Sequence, residues 1–363
     1  MKIAMIGQKG IPSRAGGVEI HVEEISARLV ERGNNVTVYC RKSYCEEIKK
    51  THKGINLKYI PSINTKHLDA ITYTFLASID CAIKKYDVVH YHALGPSLLS
   101  FIPRMFGKKV VCTVHGLDWQ REKWGKIAKL ALKLGEIATA KFPNKTISVS
   151  ESISKYYNQE YRNNTVFIPN GIDNKKFVEA NEITKKYGLK NGEYILFLAR
   201  LVPEKGVHYL IEAYNKLNTD KKLIIAGGSS HSDDYVKYIK SIASQNSNII
   251  MTGFVKGNIL EELFSNAYIY VLPSEIEGLP ISLLEAMSYG NCCLVSDIEQ
   301  NTEVIKEYGY SFISKDSNDL KEKLEYLINN EDKIEEIRKY VKEYVQNKYN
   351  WDKVSIDTEK TYD

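Results

Sequence analysis

Short apolar runs and stretches of helical spacing alternate along the first half of the chain. Runs rich in β-branched residues predict buried strands, and apolar residues three or four positions apart predict helices. The predicted strands are Lys2–Ile6, Val36–Tyr39, Asp87–His92, Lys109–Val114 and Thr146–Val149, and the first predicted helix is Val18–Arg32. Such alternation is typical of a parallel, doubly wound α/β sheet.

The same pattern starts again after Asn170-Gly171. The second set of predicted strands is Tyr194–Leu198, Lys222–Ala226, Asn248–Met251, Ile269–Leu272 and Cys292–Val295, and Glu331–Tyr349 is a predicted amphipathic helix. We therefore expect two Rossmann-like domains, residues 1–168 and 169–349. Because ligands of such sheets bind beyond the carboxyl ends of the strands, the loops after the strands, facing a cleft between the domains, are the candidate sites.

Length and composition agree with a globular, two-domain protein. The 363 residues are 43% hydrophobic and 26% charged, and none of the apolar runs approaches the ~20 residues of a membrane span. With no apolar leader after Met1, the expected location is cytoplasmic. Six cysteines without a C-x-x-C spacing predict neither a disulfide framework nor a metal site.

Charge divides unequally between the halves. Residues 1–170 hold 26 Lys and Arg against 14 Asp and Glu, a net charge of +12, and the remaining 24 and 31 give −7, which together make +5. Either the first half meets an anionic partner, such as a membrane surface, nucleic acid or a phosphorylated acceptor, or its basic residues are simply solvated.

Glycines follow the first predicted strand. Gly16 and Gly17 stand directly before a helix, where bare backbone amides and the helix N-terminus favour a phosphate. A dinucleotide-binding fold would need an acid at the end of the second strand, where this chain has Cys40-Arg41. A dehydrogenase is therefore disfavoured.

The second half carries two charged motifs after strands. Arg200 and Lys205 follow Tyr194–Leu198, and such a pair of cations can hold a diphosphate or can be solvated. Glu277 precedes a predicted helix, and Glu285 lies within that helix, about two turns further along the chain. Carboxylates beside an anion site suit sugar hydroxyls better than phosphate, so we expect one to bind a ribose and the other a hexose.

These motifs occur together in a familiar order. They are Gly16-Gly17-Val18-Glu19, Val114-His115-Gly116, Asn170-Gly171-Ile172-Asp173, Arg200 with Lys205-Gly206, and Glu277-x(7)-Glu285. The set resembles the retaining glycosyltransferases of family four, which have the GT-B architecture, over nearly the whole chain. The opening residues 7–12 with Gly16-Gly17 resemble the bacterial members that build surface polysaccharides.

The resemblance implies a role for each matching residue. Gly16 and Gly17 would contact the donor, His115 would lie beside the transferred sugar, and Arg200 and Lys205 would neutralise the leaving diphosphate. Glu277 would bind the sugar and Glu285 the ribose. Other implied donor contacts are Gly253, Phe254 and Val255 at the base and Gly278, Leu279, Pro280 and Ile281 near the phosphates. Pro280 lacks an amide hydrogen that many relatives have there, and the tail 350–363 is expected to pack on the N-terminal domain.

The resemblance also implies a hexosyl transfer with retention and without a protein nucleophile. The expected donor is a UDP- or GDP-sugar, the acceptor a glycan or a lipid-linked glycan, and nucleic acid is not expected. No D-x-D motif occurs, which predicts no metal and no cofactor besides the sugar nucleotide. Two alternatives remain: a nucleotide-sugar epimerase of the same architecture, which would convert the donor alone, and a nucleic-acid-binding protein, which would bind DNA with steep salt dependence.

A basic stretch of the first half is a candidate membrane or acceptor surface. It comprises Trp119, Arg121, Lys123, Trp124, Lys126, Lys129 and Lys133. At helical spacing the three last lysines share one face, and Ile127, Leu130 and Leu134 share another. We expect the apolar stripe to pack on its own domain and the lysines to be solvated or to meet anionic headgroups at the inner membrane face.

Overall fold

The chain forms two compact units. The computed structural model describes residues 1–363 except 13–15, 46, 64, 66–67, 122–123 and 231. Unit 1 consists of Met1–Gly171 with Trp351–Asp363, and unit 2 of Ile172–Asn350.

Each unit has its own sheet. The strands of unit 1 are Lys2–Ile6 (β1), Asn35–Arg41 (β2), Thr51–His52 (β3), Ile55–Ile60 (β4), Val88–His92 (β5), Lys109–Val114 (β6), Lys145–Ser148 (β7) and Val166–Phe167 (β8). Those of unit 2 are Tyr194–Leu198 (β9), Lys222–Ala226 (β10), Ile249–Gly253 (β11), Ile269–Leu272 (β12), Cys293–Ser296 (β13) and Tyr310–Phe312 (β14).

Helices connect most of these strands. They are Gly17–Glu31 (α1), Leu68–Ile83 (α2), Leu94–Ser97 (α3), Phe101–Met105 (α4), Lys126–Lys141 (α5), Glu151–Tyr161 (α6), Glu182–Tyr187 (α7), Val207–Asn215 (α8), Asp233–Ala243 (α9), Asn258–Ser265 (α10), Ile281–Ser288 (α11), Glu299–Ile305 (α12), Ser317–Asn329 (α13), Glu331–Lys348 (α14) and Trp351–Lys360 (α15). Short 3₁₀ turns are Lys42–Tyr44, Asp118–Gln120 and Pro203–Lys205.

The sheet of unit 1 has helices on both faces. Its order is β3-β4-β2-β1-β5-β6-β7-β8, and every pair is parallel except β3 with β4. Side chains of a strand alternate between faces, so Ile3 and Met5 of β1 join one core with α1 and α15. Ala4 and Ile6 join the other core, with α2. The central strand is therefore buried on both sides.

The sheet of unit 2 is parallel throughout, in the order β11-β10-β9-β12-β13-β14. The predicted two Rossmann-like α/β folds are thus confirmed, and β6 has the predicted bounds. The hairpin β3–β4 and the short strands β8 and β14 were missed. They lie at or next to sheet edges, and β3, β8 and β14 are only two or three residues long.

The last helix belongs to unit 1. Trp351 on α15 is 2% exposed, and a Cβ atom on Gly171 would lie 2.5 Å from its indole ring. Arg28 on α1 pairs with Asp352 at 2.8 Å, and Arg32 with Glu359 at 2.5 Å. Apolar packing and these ion pairs hold α15 against α1.

All six cysteines are free, and five of them are buried. They act as small core residues. No helix in the described part of the chain combines the length and the apolar character needed to cross a bilayer.

Replacing Trp351 with Ala should destabilise unit 1 strongly. Removing a buried Trp leaves a cavity and costs about 3–5 kcal/mol. Chemical denaturation followed by circular dichroism measures the loss. Tyr340→Ala, which truncates a ring that is 58% exposed, is the control and should change little. Equal denaturation midpoints for W351A and wild type would contradict the packing described for α15.

Candidate functional site

The strand order of unit 2 reverses between β9 and β12. β10 and β11 lie on one side of β9, and β12, β13 and β14 lie on the other. A reversal of this kind opens a crevice at the carboxyl edge of a parallel sheet, where ligands of doubly wound folds bind. The loops beside it are residues 199–206 and 273–280, which carry the predicted Arg200, Lys205 and Glu277.

The two loops are joined by an ion pair and by their backbones. Lys205 Nζ donates a hydrogen bond to Glu277 Oε1, and both side chains are nearly buried. The Glu275 amide donates to the Glu204 carbonyl oxygen at 2.9 Å. At Gly206, with a φ of +67°, a Cβ atom would lie 2.0 Å from the Pro273 carbonyl oxygen. Two residues to which the sequence assigned separate ligands therefore bind each other.

Helix α11 begins beside this pair. Pro280 is its N-cap residue, so the free amides of the first turn start at Ile281. Glu285 lies in the second turn and is partly exposed. The Tyr270 hydroxyl is 3.2 Å from the Leu198 carbonyl oxygen and 3.1 Å from Ser282 Oγ, which ties α11 to the end of β9. The helix N-terminus therefore adds positive partial charge near the crevice.

A glycine pair that the sequence reasoning missed lies next to the predicted base site. Gly227 and Gly228 follow β10, and a Cβ atom on Gly228 would lie 3.5 Å from Phe254 Cβ. Leu201 donates its amide hydrogen to the Gly228 carbonyl oxygen at 2.9 Å. Phe254 is 60% exposed, so a flat ring can stack on it over bare backbone. The available signal was the position of the two glycines directly after the predicted strand Lys222–Ala226.

The sheet of unit 1 reverses between β1 and β5. Gly7 follows β1 with a φ of +129°, and a Cβ atom there would lie 2.2 Å from the His92 carbonyl oxygen. Gly16 is the N-cap residue of α1 and Gly17 its first residue. Glu19 Oε1 accepts the Lys9 amide hydrogen at 3.0 Å, which draws the two ends of the glycine loop together. Residues 13–15 of this loop lie outside the described residues.

Four histidines form a layer at the end of β5 and β6. His92 Nδ1 is 3.2 Å from His115 Nε2, and the His90 ring stacks on His92 with 4.2 Å between centroids. His21 on α1 contacts His115 edge to face at 4.6 Å. The sequence singled out His115 alone, because the other histidines come from distant positions and show no motif.

Hydrogen bonds fix two of these rings. His90 bonds the Tyr362 and Thr113 hydroxyls, both at 2.7 Å. His21 Nδ1 lies 2.8 Å from Asn170 Oδ1, which can only accept, so Nδ1 carries the proton. The lone pair of His21 Nε2 is therefore left buried without a hydrogen-bond partner.

Burial keeps the histidines neutral. It lowers the pKa of His21 to about 4, although the bond to Asn170 acts in the opposite direction. It lowers the pKa of His90 to about 3, and those of His92 and His115 fall well below the usual value, with their histidine neighbours adding to the effect. At neutral pH these rings offer lone pairs and N–H donors and no charge.

His21, His92 and His115 could also hold a metal ion. One ring nitrogen of each lies within 4.8 Å of the others, and no other such group occurs among the residues that the structure describes. Neutral imidazoles are good ligands for zinc and similar ions. The sequence predicts no metal, and that expectation stays a prediction.

The predicted membrane stretch needs two corrections. Ile127, Leu130 and Leu134 are 87%, 62% and 47% exposed, so the expectation that this stripe packs on its own domain is wrong. α5 packs instead through small residues such as Gly135, where a Cβ atom would lie 2.2 Å from the Leu94 carbonyl oxygen. A helix approaches its neighbour most closely where side chains are smallest.

The second correction concerns Lys133, which is bound by neighbouring side chains. Its Nζ lies 3.6 Å from the Trp119 ring centre and bonds Glu136 Oε1 at 3.1 Å, so it is not solvated like Lys126. The Trp119 indole also donates to Glu136. Arg121 pairs with Asp118 at 3.2 Å, Trp124 and Lys129 are partly exposed, and Lys123 lies outside the described residues.

Both halves of the chain match known families. Residues 15–176 match the model of Glycosyltransferase Family 4, and residues 179–347 match that of Glycosyl transferases group 1. The chain is 26% identical to an uncharacterized glycosyltransferase of Methanocaldococcus jannaschii over 100% of this chain and 98% of the relative. It is 30% identical to the UDP-Gal:alpha-D-GlcNAc-diphosphoundecaprenol alpha-1,3-galactosyltransferase of Escherichia coli over 61% of each chain.

Solved structures share the fold. Sucrose-phosphate synthase from Thermosynechococcus elongatus superposes with a TM-score of 0.83 at 19% identity, covering 99% of this chain and 98% of the other. Anabaena HepE in complex with UDP and glucose gives a TM-score of 0.82 at 17% identity, covering 99% of each chain.

Neutral buried histidines should make the protein sensitive to acid. The unfolded chain binds a proton at each histidine near pH 6.5, whereas folded His21 does so near pH 4. The contribution of neutral His21 to the free energy of unfolding is therefore fully present above pH 6.5 and is lost as the pH falls toward 4. Urea unfolding at pH 7 and pH 5 should show a smaller decrease for His21→Gln than for wild type. Identical pH dependence in H21Q, with His52→Gln as control, would contradict the neutral state of His21.

Proposed function

Because the chain belongs to the glycosyltransferases, with a Family 4 domain followed by a group 1 domain, we propose that it transfers a hexose from a nucleoside diphosphate-sugar with retention of configuration. The observation that carries the proposal is the crevice of unit 2. Two loops lie at the strand-order reversal: one carries Arg200 and Lys205, and the other carries Glu277. Lys205 and Glu277 form an ion pair across the crevice between these loops. Cations for a diphosphate and a carboxylate for a sugar thus occur where this fold binds ligands.

The chemistry requires stabilisation of the leaving group. As the bond from the anomeric carbon to the diphosphate oxygen breaks, negative charge grows on the diphosphate. Arg200 can neutralise it through its planar fork, and Lys205 can do so as a point charge that Glu277 holds in position. The first-turn amides of α11 add to the same effect. Donors fixed before the reaction lower the barrier because they need not reorient.

The sugar side of the reaction needs neutral or acidic hydrogen-bonding groups. Glu277 would bind hexose hydroxyls and Glu285 the ribose. His115, whose pKa lies well below its usual value because of burial, is a weak base, which favours binding of a sugar hydroxyl over proton abstraction. The acceptor hydroxyl attacks the anomeric carbon from the side of the leaving group and passes its proton to the departing phosphate oxygen, so no protein nucleophile is used.

Relatives support the choice of substrates. The Escherichia coli relative uses UDP-galactose and a diphosphoundecaprenol-linked acceptor, and the Anabaena neighbour binds UDP. We infer that the donor is a UDP- or GDP-sugar and that the acceptor is a glycan or a lipid-linked glycan. The reaction would then serve surface polysaccharide synthesis at the inner face of the membrane. The net charge of +12 on residues 1–170 suits an anionic surface there.

A ligand screen tests the donor class. Binding of a ligand to the folded state raises the thermal midpoint, so UDP-, GDP-, ADP- and dTDP-sugars can be ranked by thermal shift. Incubation of the best donor without acceptor then separates two enzyme classes. An epimerase would convert the donor alone, whereas a transferase would require an acceptor for its main product.

Arg200→Ala and Glu285→Ala should each lower turnover strongly while the fold survives. Neither side chain is in a core, and loss of one charged or hydrogen-bonding group at a developing charge typically costs about 10²–10³-fold in rate. Release of nucleoside diphosphate measures turnover, and circular dichroism checks the fold. Lys237→Ala, on an exposed lysine of the same unit, is the control. Near-normal turnover in R200A or E285A would show that the donor site is wrongly assigned.

Activity should persist in excess EDTA. Arg200, Lys205 and the α11 amides supply the positive charge that a metal would otherwise bring, and the chain has no D-x-D motif. The same diphosphate-release assay, with and without chelator, is the measurement. If activity disappeared and returned with Mg²⁺ or Mn²⁺, metal independence would be refuted; return with Zn²⁺ alone would direct attention to His21, His92 and His115.

A further inference from the structure

Helix α2 is apolar on its outer side as well as on its inner side. Its inner face, with Tyr73, Ala77 and Cys81, is buried in the core of unit 1. Its outer face carries six large apolar side chains, each at least 39% exposed: Leu68, Ile71, Phe75, Leu76, Ile79 and Ile83. A helix that faces water normally carries polar residues there. The outer face of α2 is therefore built for an apolar surrounding.

The neighbouring helices continue this surface. α2 packs against α4, and α3, which directly precedes α4, packs against α5. Phe101 at the start of α4 contacts Phe142 at the end of α5, with 5.8 Å between ring centroids. The crossovers from β4 to β5, from β5 to β6 and from β6 to β7 contain α2, α4 and α5, respectively. All three run in the same direction across the sheet, so right-handed connections place these helices on the same side. Exposed on α4 and α5, or directly after them, are Met105, Phe106, Ile127, Leu130, Leu134 and Phe142.

Acidic side chains on these three helices are all bound inward. Asp69 pairs with Arg41 at 2.8 Å, Asp80 with Lys58 at 2.5 Å, and Glu136 is fully buried. Exposed basic residues remain at or near the helix ends: Lys84, Lys85, Arg104, Lys126 and Lys141. The surface thus combines an apolar centre with a basic rim.

We propose that the outer face of α2, α4 and α5, here called the lipid face, docks on an anionic phospholipid bilayer. The inference deepens the proposed function and rests on it, since a lipid-linked acceptor would be met at such a surface. Apolar side chains enter the headgroup–acyl boundary, and the basic rim meets lipid phosphates. The attraction between the basic residues and the anionic lipids is screened by salt, so attachment is reversible and sensitive to salt.

Charge decides against a second copy of this chain as the partner. In a two-fold symmetric contact the same patch occurs on both sides, so the basic rims would face each other. Like charges across an interface oppose association. An anionic bilayer has the opposite charge and an apolar interior, which complements both parts of the lipid face.

The test uses co-sedimentation of the full chain with vesicles. One set contains phosphatidylcholine with phosphatidylglycerol, the other phosphatidylcholine alone, each at low (~50 mM) and high (~500 mM) salt. A charge variant carries Lys84→Glu, Arg104→Glu and Lys126→Glu, and an apolar variant carries Phe75→Ser, Ile79→Ser and Leu130→Ser. All six positions are exposed, so the fold should tolerate these substitutions.

Matched controls lie on unit 2. The charge control is Lys237→Glu, Lys323→Glu and Lys339→Glu, which changes the net charge by the same amount, and the apolar control is Tyr238→Ser, Ile313→Ser and Tyr340→Ser. We expect wild type and both controls to bind anionic vesicles at low salt. Both lipid-face variants should bind at least tenfold more weakly.

Three results would overturn the inference: equal binding to neutral and anionic vesicles, lipid-face variants that bind like their controls, or a dimer in light scattering that only the apolar variant dissociates. Thermal shift by UDP and GDP, measured on the same variants, separates this inference from the proposed function. A retained nucleotide shift with no vesicle binding removes the lipid face alone. Vesicle binding without any nucleotide shift leaves the docking surface standing and removes the proposed donor site.

Discussion

At the carboxyl edge of each sheet, neighbouring loops and strand ends make backbone contacts that leave no room for a side chain. A Cβ atom on Gly7, Gly206 or Gly227 would lie 2.2, 2.0 or 1.8 Å from a carbonyl oxygen of a neighbouring loop or strand end. All three residues have a positive φ, which glycine adopts without strain. Any other residue would push these loops apart. The loops that carry Lys205 and Glu277 meet at Gly206, and the ends of β1 and β5 meet at Gly7.

Close packing at these edges also sets the electrostatics. Lys205 and Glu277 are nearly buried and opposite in charge, so they attract each other and form an ion pair. In the histidine layer of unit 1, burial leaves His21 and its neighbours neutral. One unit therefore offers fixed charges to a ligand, whereas the histidine layer of the other offers uncharged donors and acceptors.

Local signals in the sequence were sufficient for the parts of the structure that depend on neighbouring residues. Strand β6, the loop with Arg200 and Lys205, and the placement of Glu277 and Glu285 around α11 all follow from apolar periodicity and from residues at strand ends. Contacts between distant residues were not predictable in this way. The layer that joins His21, His92 and His115 depends on the order of strands in the sheet. The outer side of α5 was misjudged because periodicity shows that a helix has an apolar stripe but not which side packs.

The C-terminal helix has a consequence for synthesis of the chain. Trp351, Val354 and Tyr362 belong to the core of unit 1, and the Tyr362 hydroxyl bonds His90 beneath His92. These residues leave the ribosome after all of unit 2, whose translation takes roughly 10–40 s at about 5–20 residues per second. During that time the first half of the chain has a gap in its core beside α1. The unit that is second in the sequence can therefore finish folding first, while the earlier half is open to chaperones until its last helix arrives.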